Sequence, residues 1–462
     1  MTLDEIAAIT DGRLVNADPA ATVTGQVEYD TRELRPGGLF VAFAGERVDG
    51  HDFAANAVAA GAVGVLGTRD TGQPGIVVDD PLRALAALAA VVVRRLPELT
   101  IVGVTGSSGK TTTKDLIGQL LAHLGATVAL PGSLNNELGF PYTVLKAGTS
   151  TRFLVLEMGA RAVGHIRFLT DMVGPRIGVV LNVGAAHIGK FGSVEGTARA
   201  KGELVEGLGE DGVAVLNADD PLVAAMASRT VARVVLVGES AEATVRAVDV
   251  TLDERGRAAY TLLTPAGSAP VRLAVTGRHQ VGNSLAAAAV ALEAGMAPAA
   301  VAAALGTAGI VSERRMDVFD TKQGVTVIDD SYNANTSSTN AALRALAVLG
   351  QGRRTTAVLG YMAELGEFEI SGHEEVGRLA AELGVDRLIA VADNAAPILD
   401  GAAKVPAWQG EAVFAADQAA AIAVLRGDLR PGDVVLVKAS RYRTWEVADA
   451  LRADAAEQEV GP

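Results

Sequence analysis

The strongest chemical motif in the sequence is a glycine loop at residues 105–112, which reads TGSSGKTT. An apolar strand pattern leads into it and a helical pattern follows, so backbone N–H groups and a helix N-terminus converge on one point. Such a loop binds phosphate: Lys110 would contact the β- and γ-phosphates of a nucleotide, and the Thr111 hydroxyl would bind Mg²⁺. The alternative is a glycine turn with a surface lysine. The order of strand, loop and helix favours the phosphate loop, although Thr105 stands where the common motif has glycine.

Three further side chains could serve a site beside this loop. Glu157 ends an apolar strand pattern at residues 153–158, and ligands bind at that end of a parallel strand. Its carboxylate is a hard ligand suited to Mg²⁺; the less favoured alternative is a residue that caps a helix or forms a salt bridge. His187 follows the next strand pattern, and Lys201 lies on a predicted helix beside Glu203. Spacing alone favours an ordinary structural role for the histidine and a surface position for the lysine.

The elements that would position these residues form three α/β domains. Residues 1–98 combine short strands with alanine-rich helices, of which the last begins at Asp80-Pro81. Residues 99–311 repeat strand and helix, which indicates a parallel sheet, and end with antiparallel stretches near residues 243–250 and 258–263. Residues 312–462 begin with strands and then alternate helix and strand. This last pattern predicts a Rossmann-like, doubly wound domain.

Composition excludes several classes of protein. The chain has 462 residues and a net charge of −14, which argues against a general binder of nucleic acid or of acidic membranes. No apolar run reaches the ~18 residues of a membrane span, and no signal-peptide pattern is present. The absence of cysteine rules out disulfides and thiolate metal sites. We expect a cytoplasmic enzyme with no nucleic-acid partner and no membrane insertion.

The short glycine spacing T-G-x-x-G-K-T resembles that of the Mur ligase and folylpolyglutamate synthase superfamily. The segments that share this resemblance are NVGAAH at 182–187, GRHQVGNSLAA at 277–287, DDSYNAN at 329–335 and VKASR at 437–441. Some positions depart from the family pattern. Gln280 stands where asparagine is commoner, and Arg314 stands where glycine is usual, which leaves the geometry of that loop open.

The resemblance implies ATP and two Mg²⁺ ions as cofactors. The nucleotide would lie on Gly106, Ser107, Ser108, Gly109, Lys110, Thr111 and Thr112. Glu157 and His187 would bind the second metal ion. The segment FGSVEGTARAKGE at 191–203 resembles the family segment whose lysine is carbamylated, which makes Lys201 an N6-carboxylysine and a further metal ligand. A nearby Mg²⁺ would favour the uncharged amine that carbamylation needs.

Other positions of this sequence match family residues that bind ATP. Asn136 would contact the γ-phosphate, Asn283 the adenine and Asp330 the ribose region. Arg315 would reach from the third domain to the ATP phosphates as that domain closes on the nucleotide. Together with Lys110, Glu157, His187 and Lys201, Arg315 completes the catalytic set that the resemblance implies.

The substrates are also implied by resemblance. The segment YDTR at 29–32 resembles part of a domain that binds UDP-sugar-peptide precursors, with Asp30, Thr31 and Arg32 near the uracil and diphosphate. Candidates for the acceptor site are Tyr332, Asn335, Lys438 and Arg441. LNNELGFP at 134–141 resembles the member that adds D-alanyl-D-alanine (D-Ala-D-Ala) to UDP-N-acetylmuramoyl-tripeptide through an acyl phosphate. We expect a monomer. Two alternatives stay open: another ligase of the superfamily, or a P-loop module that hydrolyses ATP to drive a partner.

Overall fold

The computed structural model describes residues 1–45, 48–184, 191–440 and 442–453. These residues form two compact units. The first comprises residues 1–103, 125–159 and 168–176, and the second comprises residues 104–124, 160–167 and 177–462. The units do not correspond one to one to the three predicted domains, whose boundaries at residues 98 and 311 stay predictions.

The α-helices of the described residues follow in chain order, with short 3₁₀ helices between some of them. They are α1 (Leu3–Thr10), α2 (Ala54–Ala59), α3 (Pro81–Arg94), α4 (Lys110–Ala122), α5 (Gly139–Val144), α6 (His165–Val173), α7 (Val194–Glu206), α8 (Pro221–Ala224), α9 (Gln280–Glu293), α10 (Pro298–Leu305), α11 (Thr336–Leu349), α12 (Glu369–Glu382), α13 (Pro397–Ala403), α14 (Gln418–Asp428) and α15 (Trp445–Ala453). None of the described helices is long and apolar enough to cross a membrane.

The strands form sheets of five, nine and six strands. They are β1 (Arg13–Val15), β2 (Val27–Glu28), β3 (Leu39–Val41), β4 (Gly64–Gly67), β5 (Gly75–Val77), β6 (Thr100–Thr105), β7 (Thr127–Val128), β8 (Phe153–Glu157), β9 (Ile177–Val180), β10 (Val213–Asn217), β11 (Arg233–Gly238), β12 (Val245–Leu252), β13 (Arg257–Thr264), β14 (Gly267–Thr276), β15 (Asp317–Asp320), β16 (Thr326–Asp329), β17 (Thr355–Leu359), β18 (Arg387–Val391), β19 (Glu411–Ala415) and β20 (Val434–Lys438).

The five-stranded sheet belongs to the first unit and has the order β1-β5-β4-β3-β2. Its strands run parallel except β1, which pairs antiparallel with β5. Helix α3 begins as the sequence predicts. The Asp80 carboxylate accepts hydrogen bonds from the backbone N–H groups of Leu82 at 2.8 Å and Arg83 at 3.3 Å, and Pro81 occupies the first turn. A proline is tolerated there because no N–H donor is needed.

The nine-stranded sheet has the order β14-β13-β12-β11-β10-β9-β6-β8-β7. Strands β9, β10 and β11 run parallel, whereas β12, β13 and β14 pair antiparallel. The parallel and antiparallel parts predicted from the sequence are therefore confirmed. β6 is apolar and buried from Ile101 onward, and its carboxyl end delivers the glycine loop that precedes α4.

The six-stranded sheet belongs to the second unit and has the order β15-β16-β20-β17-β18-β19. β15 pairs antiparallel with β16, and the other strands run parallel. Alternate residues of one strand enter two different cores: Val434 and Leu436 face the core with α11 and α12, and Val435 and Val437 face the core with α14 and α15. Burial on both faces explains why these strands lack polar alternation. This α/β doubly wound arrangement confirms the predicted fold class.

Candidate active site

The glycine loop connects β6 to α4 in the second unit. Gly109 has φ 80°, in the left-handed region, and a Cβ added there would lie 2.5 Å from the side-chain oxygen of Asn283. Only glycine meets both conditions without strain. The Lys110 ammonium donates a hydrogen bond to the Gly106 carbonyl at 2.8 Å. The lysine head therefore lies over the loop that would bind phosphate.

Asn182 fixes the other side of the loop. Its side-chain oxygen accepts a hydrogen bond from the Ser108 N–H at 2.9 Å, and its amide donates to the Ser108 carbonyl at 3.2 Å. These two hydrogen bonds hold the Ser108 backbone against the segment that follows β9. A loop shaped before the ligand binds has less ordering entropy to lose on binding.

Asn283 lies at the start of α9 and is buried against the loop. Its amide donates to the Gln280 side-chain oxygen at 2.8 Å. Gln280 is the residue that departs from the family pattern, and the structure gives it a role: it orients Asn283. Whether Asn283 binds adenine stays a prediction.

Arg315 extends from the linker before β15 to the phosphate helix. One guanidinium nitrogen donates to the Thr111 hydroxyl at 3.2 Å, and the guanidinium carbon lies 4.2 Å from the centre of the Tyr332 ring. The Arg315 Nε is buried and has no hydrogen-bond partner among the described residues. A buried donor without a partner in the protein is costly, and an anionic ligand oxygen would satisfy it.

Asp330 follows β16 and lies in a buried polar cluster. One of its carboxylate oxygens accepts from the Lys438 ammonium at 2.5 Å, and the other accepts from the Met316 N–H at 3.2 Å. Lys438 also donates to the Asn333 carbonyl at 2.9 Å. Burial lowers the pKa of Lys438, and the Asp330 charge opposes that lowering. The two predicted site residues are therefore partners of each other, and their roles toward ligands stay predictions.

Asn335 and Tyr332 occupy the loop between β16 and α11. The Asn335 side-chain oxygen accepts from the Ser338 N–H at 2.9 Å and so caps α11, while its amide donates to the Ser107 carbonyl at 3.4 Å. Tyr332 is exposed. Asn335 thus joins this loop to the phosphate loop, and its predicted place in an acceptor site is untested.

Lys201 lies on α7 and only 4% of its surface is exposed. Burial lowers its pKa well below that of an ordinary lysine, and the positive charge of Lys110 lowers the pKa further. The surface position that spacing alone favours is wrong. A lowered pKa favours the uncharged amine, which is the form that reacts with carbon dioxide.

Glu157 ends β8 in the first unit and is buried. Its carboxylate accepts hydrogen bonds from the Ser133 hydroxyl at 2.8 Å and from the Asn135 amide at 2.6 Å. Asn136, the predicted phosphate contact, accepts instead from the Gly139 N–H at 2.8 Å, at the start of α5. Ser133 and Asn135, which the sequence did not single out, both contact Glu157.

Asp30 and Arg32, also in the first unit, form an exposed ion pair at 2.5 Å. The hydrogen bonds from Arg32 lower the pKa of Asp30 to about 2. Thr31 lies between them. His187 and Arg441 lie outside the described residues. Among the described residues no group of three histidine, cysteine or acidic side chains is close enough to hold a metal ion.

Comparisons with known proteins decide the family. Three family models match: "Mur ligase family, catalytic domain" at residues 24–93, "Mur ligase middle domain" at 104–291 and "Mur ligase, glutamate ligase domain" at 314–441. A UDP-N-acetylmuramoyl-tripeptide--D-alanyl-D-alanine ligase of Mycobacterium bovis is 49% identical over 98% of each chain. The chain belongs to the Mur ligase family.

More distant Mur ligases agree over the same length. The enzyme of that name from Escherichia coli is 36% identical over 98% of each chain. A MurF crystal structure from Acinetobacter baumannii superposes with a TM-score of 0.85, at 32% identity and 98% coverage of each chain. A Thermotoga maritima MurF in complex with ADP gives a TM-score of 0.79 at 29% identity, covering 94% of this chain and 98% of that one. The family resemblance and the three-domain α/β architecture inferred from the sequence are confirmed.

Proposed function

We propose that this Mur ligase joins the amine of D-Ala-D-Ala to the terminal carboxylate of UDP-N-acetylmuramoyl-tripeptide at the expense of ATP. The observation that carries the proposal is the near-complete match, at 49% identity, to a ligase named for those two substrates. The structure supports ATP use through the glycine loop, with Lys110 held over it. The enzyme would act in the cytoplasm as a monomer.

The reaction would proceed in two transfers. The tripeptide carboxylate attacks the γ-phosphorus of ATP, which releases ADP and gives an acyl phosphate. The free amine of D-Ala-D-Ala then attacks the acyl carbon, a tetrahedral intermediate forms, and phosphate leaves as the amide bond is made. Phosphoryl transfer depends on positioning and on neutralising charge. Lys110 and Arg315 would supply positive charge from the loop and from the linker, and Asn182 would hold the loop in shape.

The residues present suit two Mg²⁺ ions if Lys201 is carbamylated. Mg²⁺ prefers oxygen ligands, and Thr111, Glu157 and a carboxylated Lys201 each offer one; His187, which the family resemblance adds, would offer a ring nitrogen. An unmodified Lys201 offers only a nitrogen. Its burial and lowered pKa support the modification. When bound, the metal ions would stabilise the negative charge on the transferred phosphoryl group.

The remaining site assignments complete the proposal. Residues 1–98 would bind the UDP precursor near Asp30, Thr31 and Arg32, and residues 99–311 would bind ATP, with Asn136 at the γ-phosphate and Asn283 at the adenine. Residues 312–462 would close on ATP and bind the dipeptide acceptor. The acceptor-site candidates are Tyr332, Asn335, Lys438 and Arg441.

Phosphate release tests the proposal directly. Purified protein with ATP and Mg²⁺ should release phosphate rapidly only when both UDP-N-acetylmuramoyl-tripeptide and D-Ala-D-Ala are present. Replacing the dipeptide by a diamino acid or glutamate should remove that stimulation. Full stimulation by a single amino acid would favour another ligase of the superfamily. Phosphate release that needs neither substrate would favour an ATPase module.

A further inference from the structure

One face of α4 holds the linker that carries Arg315. The Gln119 amide donates to the Gly309 carbonyl at 2.8 Å, and its side-chain oxygen accepts from the Gly309 N–H at 3.0 Å. One turn earlier, the Asp115 carboxylate accepts from the Ser312 N–H at 2.9 Å. We call these three hydrogen bonds the linker latch.

The latch continues the contact between Arg315 and the phosphate loop. Thr111, Asp115 and Gln119 are four residues apart and therefore form one stripe along the helix. They contact Arg315, Ser312 and Gly309, which are three residues apart in the linker. The linker therefore runs antiparallel to α4, from its last turn to its first. Each of the three helix residues of the stripe therefore contacts one of the three linker residues.

Two features make the latch stiff. Asp115 also pairs with Lys114 at 2.8 Å, and both side chains are almost fully buried. Breaking such a pair leaves an uncompensated buried charge, so Asp115 has little freedom to move. Arg314 and Met316, on either side of Arg315, have φ 59° and 54°. Non-glycine residues rarely adopt this left-handed conformation, and they do so where the surrounding structure holds them.

We propose that Asp115 and Gln119 are positioning residues for phosphoryl transfer, because they fix the linker on the phosphate helix and thereby set the guanidinium of Arg315. The inference rests on the proposed function. A purely structural linker contact would make the same hydrogen bonds but would not act through Arg315. The positioning role and the purely structural role predict different activities when a latch variant is combined with the loss of Arg315.

A double-mutant cycle separates them. Gln119→Met keeps chain length and helix propensity but removes both hydrogen bonds to Gly309. We expect it to lower kcat/KM for ATP about tenfold in the complete assay. In an Arg315→Ala background the same change should lower it less than about twofold, since coupled residues are not additive. Gln409→Met, at an exposed glutamine, is the control and should change nothing in either background.

Hydrogen exchange reports on the latch without reference to activity. The Gly309 and Ser312 amides should be protected in the wild type, and Gln119→Met should expose Gly309. Equal losses in both backgrounds, or exposure of Gly309 without loss of activity, would overturn the positioning role. If Gln119→Met fails to fold, Gln119→Glu, which keeps an acceptor for the Gly309 N–H, takes its place in the cycle. A wild type that releases phosphate without both substrates would instead refute the proposed function.

Discussion

Replacing Lys438 by methionine should destabilise the six-stranded part of the molecule by about 3–5 kcal/mol, the usual cost of breaking a buried ion pair from one side. The Lys438 side chain is 1% exposed and that of Asp330 is 10% exposed, and their charged atoms lie 2.5 Å apart. Methionine fills similar space but leaves the Asp330 carboxylate buried without its cation. It also removes the donor to the Asn333 carbonyl.

Urea unfolding followed by tryptophan fluorescence measures this cost. The chain has two tryptophans, Trp408 and Trp445. The first packs against a core of the six-stranded sheet, and the second begins α15. Lys404→Met is the matched control, because Lys404 pairs with Glu374 at 2.6 Å but is 57% exposed. Exposed ion pairs contribute only about 0–1 kcal/mol.

The double variant Lys438→Met/Asp330→Asn tests the cause. Asparagine removes the uncompensated charge and can still accept a hydrogen bond from the Met316 N–H. The free energy of unfolding should therefore recover to within about 2 kcal/mol of the wild type, since removing both partners of a buried pair is far less harmful than removing one. The reasoning is refuted if Lys438→Met costs no more than Lys404→Met. It is also refuted if the double variant is as unstable as the single one.

Three further predictions concern the loop, the buried lysine and a buried histidine. Lys110→Ala should lower turnover in the phosphate-release assay by on the order of a thousandfold with an unchanged melting temperature; near-normal turnover would contradict the phosphate role. Lys201→Arg should be inactive because guanidinium cannot be carbamylated. Acetate should restore part of the activity of Lys201→Ala. An active arginine variant, or a mass spectrum with only free lysine, would exclude the carbamate. His373 is buried, with Nε2 accepting from the Met362 N–H at 2.9 Å, and burial lowers its pKa. The stabilisation that neutral His373 gives the folded state should be fully present above the unfolded pKa of about 6.5 and should be lost as the pH falls below it. The urea midpoint should fall less between pH 7.5 and 5.5 in His373→Gln than in the wild type; equal falls would exclude His373 as the cause.

Local rules account for the parts of the fold that the sequence predicted. The glycine loop, the capped start of α3 and the alternating helices and strands of residues 312–462 each carry their signal within a few residues. The edge strand β14 was not predicted, although inward-facing residues alternate along it. Pro270 stands at one of its outward-facing positions, and a proline within a run argues against a strand because it is tolerated in a sheet mainly at an edge.

The site was predictable only where a residue lies beside a recognisable loop or strand end. Asn182 follows β9 closely in a segment already singled out, so its contact with the loop could have been inferred. The contact of Gln119 with Gly309 joins residues 190 positions apart and leaves no local pattern. Arg314 departs from the family's glycine, and its φ of 59° explains the family preference. Its side chain is held by Asp449, at 3.0 Å, and by the Trp445 ring.

Helix α4 is the element on which the proposed chemistry depends. Its first turn carries Lys110 and Thr111, and the stripe below them holds the linker through Asp115 and Gln119. A helix of 13 residues spans about 20 Å and behaves as one rigid body. Lys110 and Arg315 lie about two hundred residues apart in the sequence. Their positive charges are nevertheless both positioned by this one helix. Charges that are fixed before the reaction need no reorganisation when negative charge develops on the transferred phosphoryl group, and electrostatic preorganisation of this kind supplies much of the rate enhancement of many enzymes.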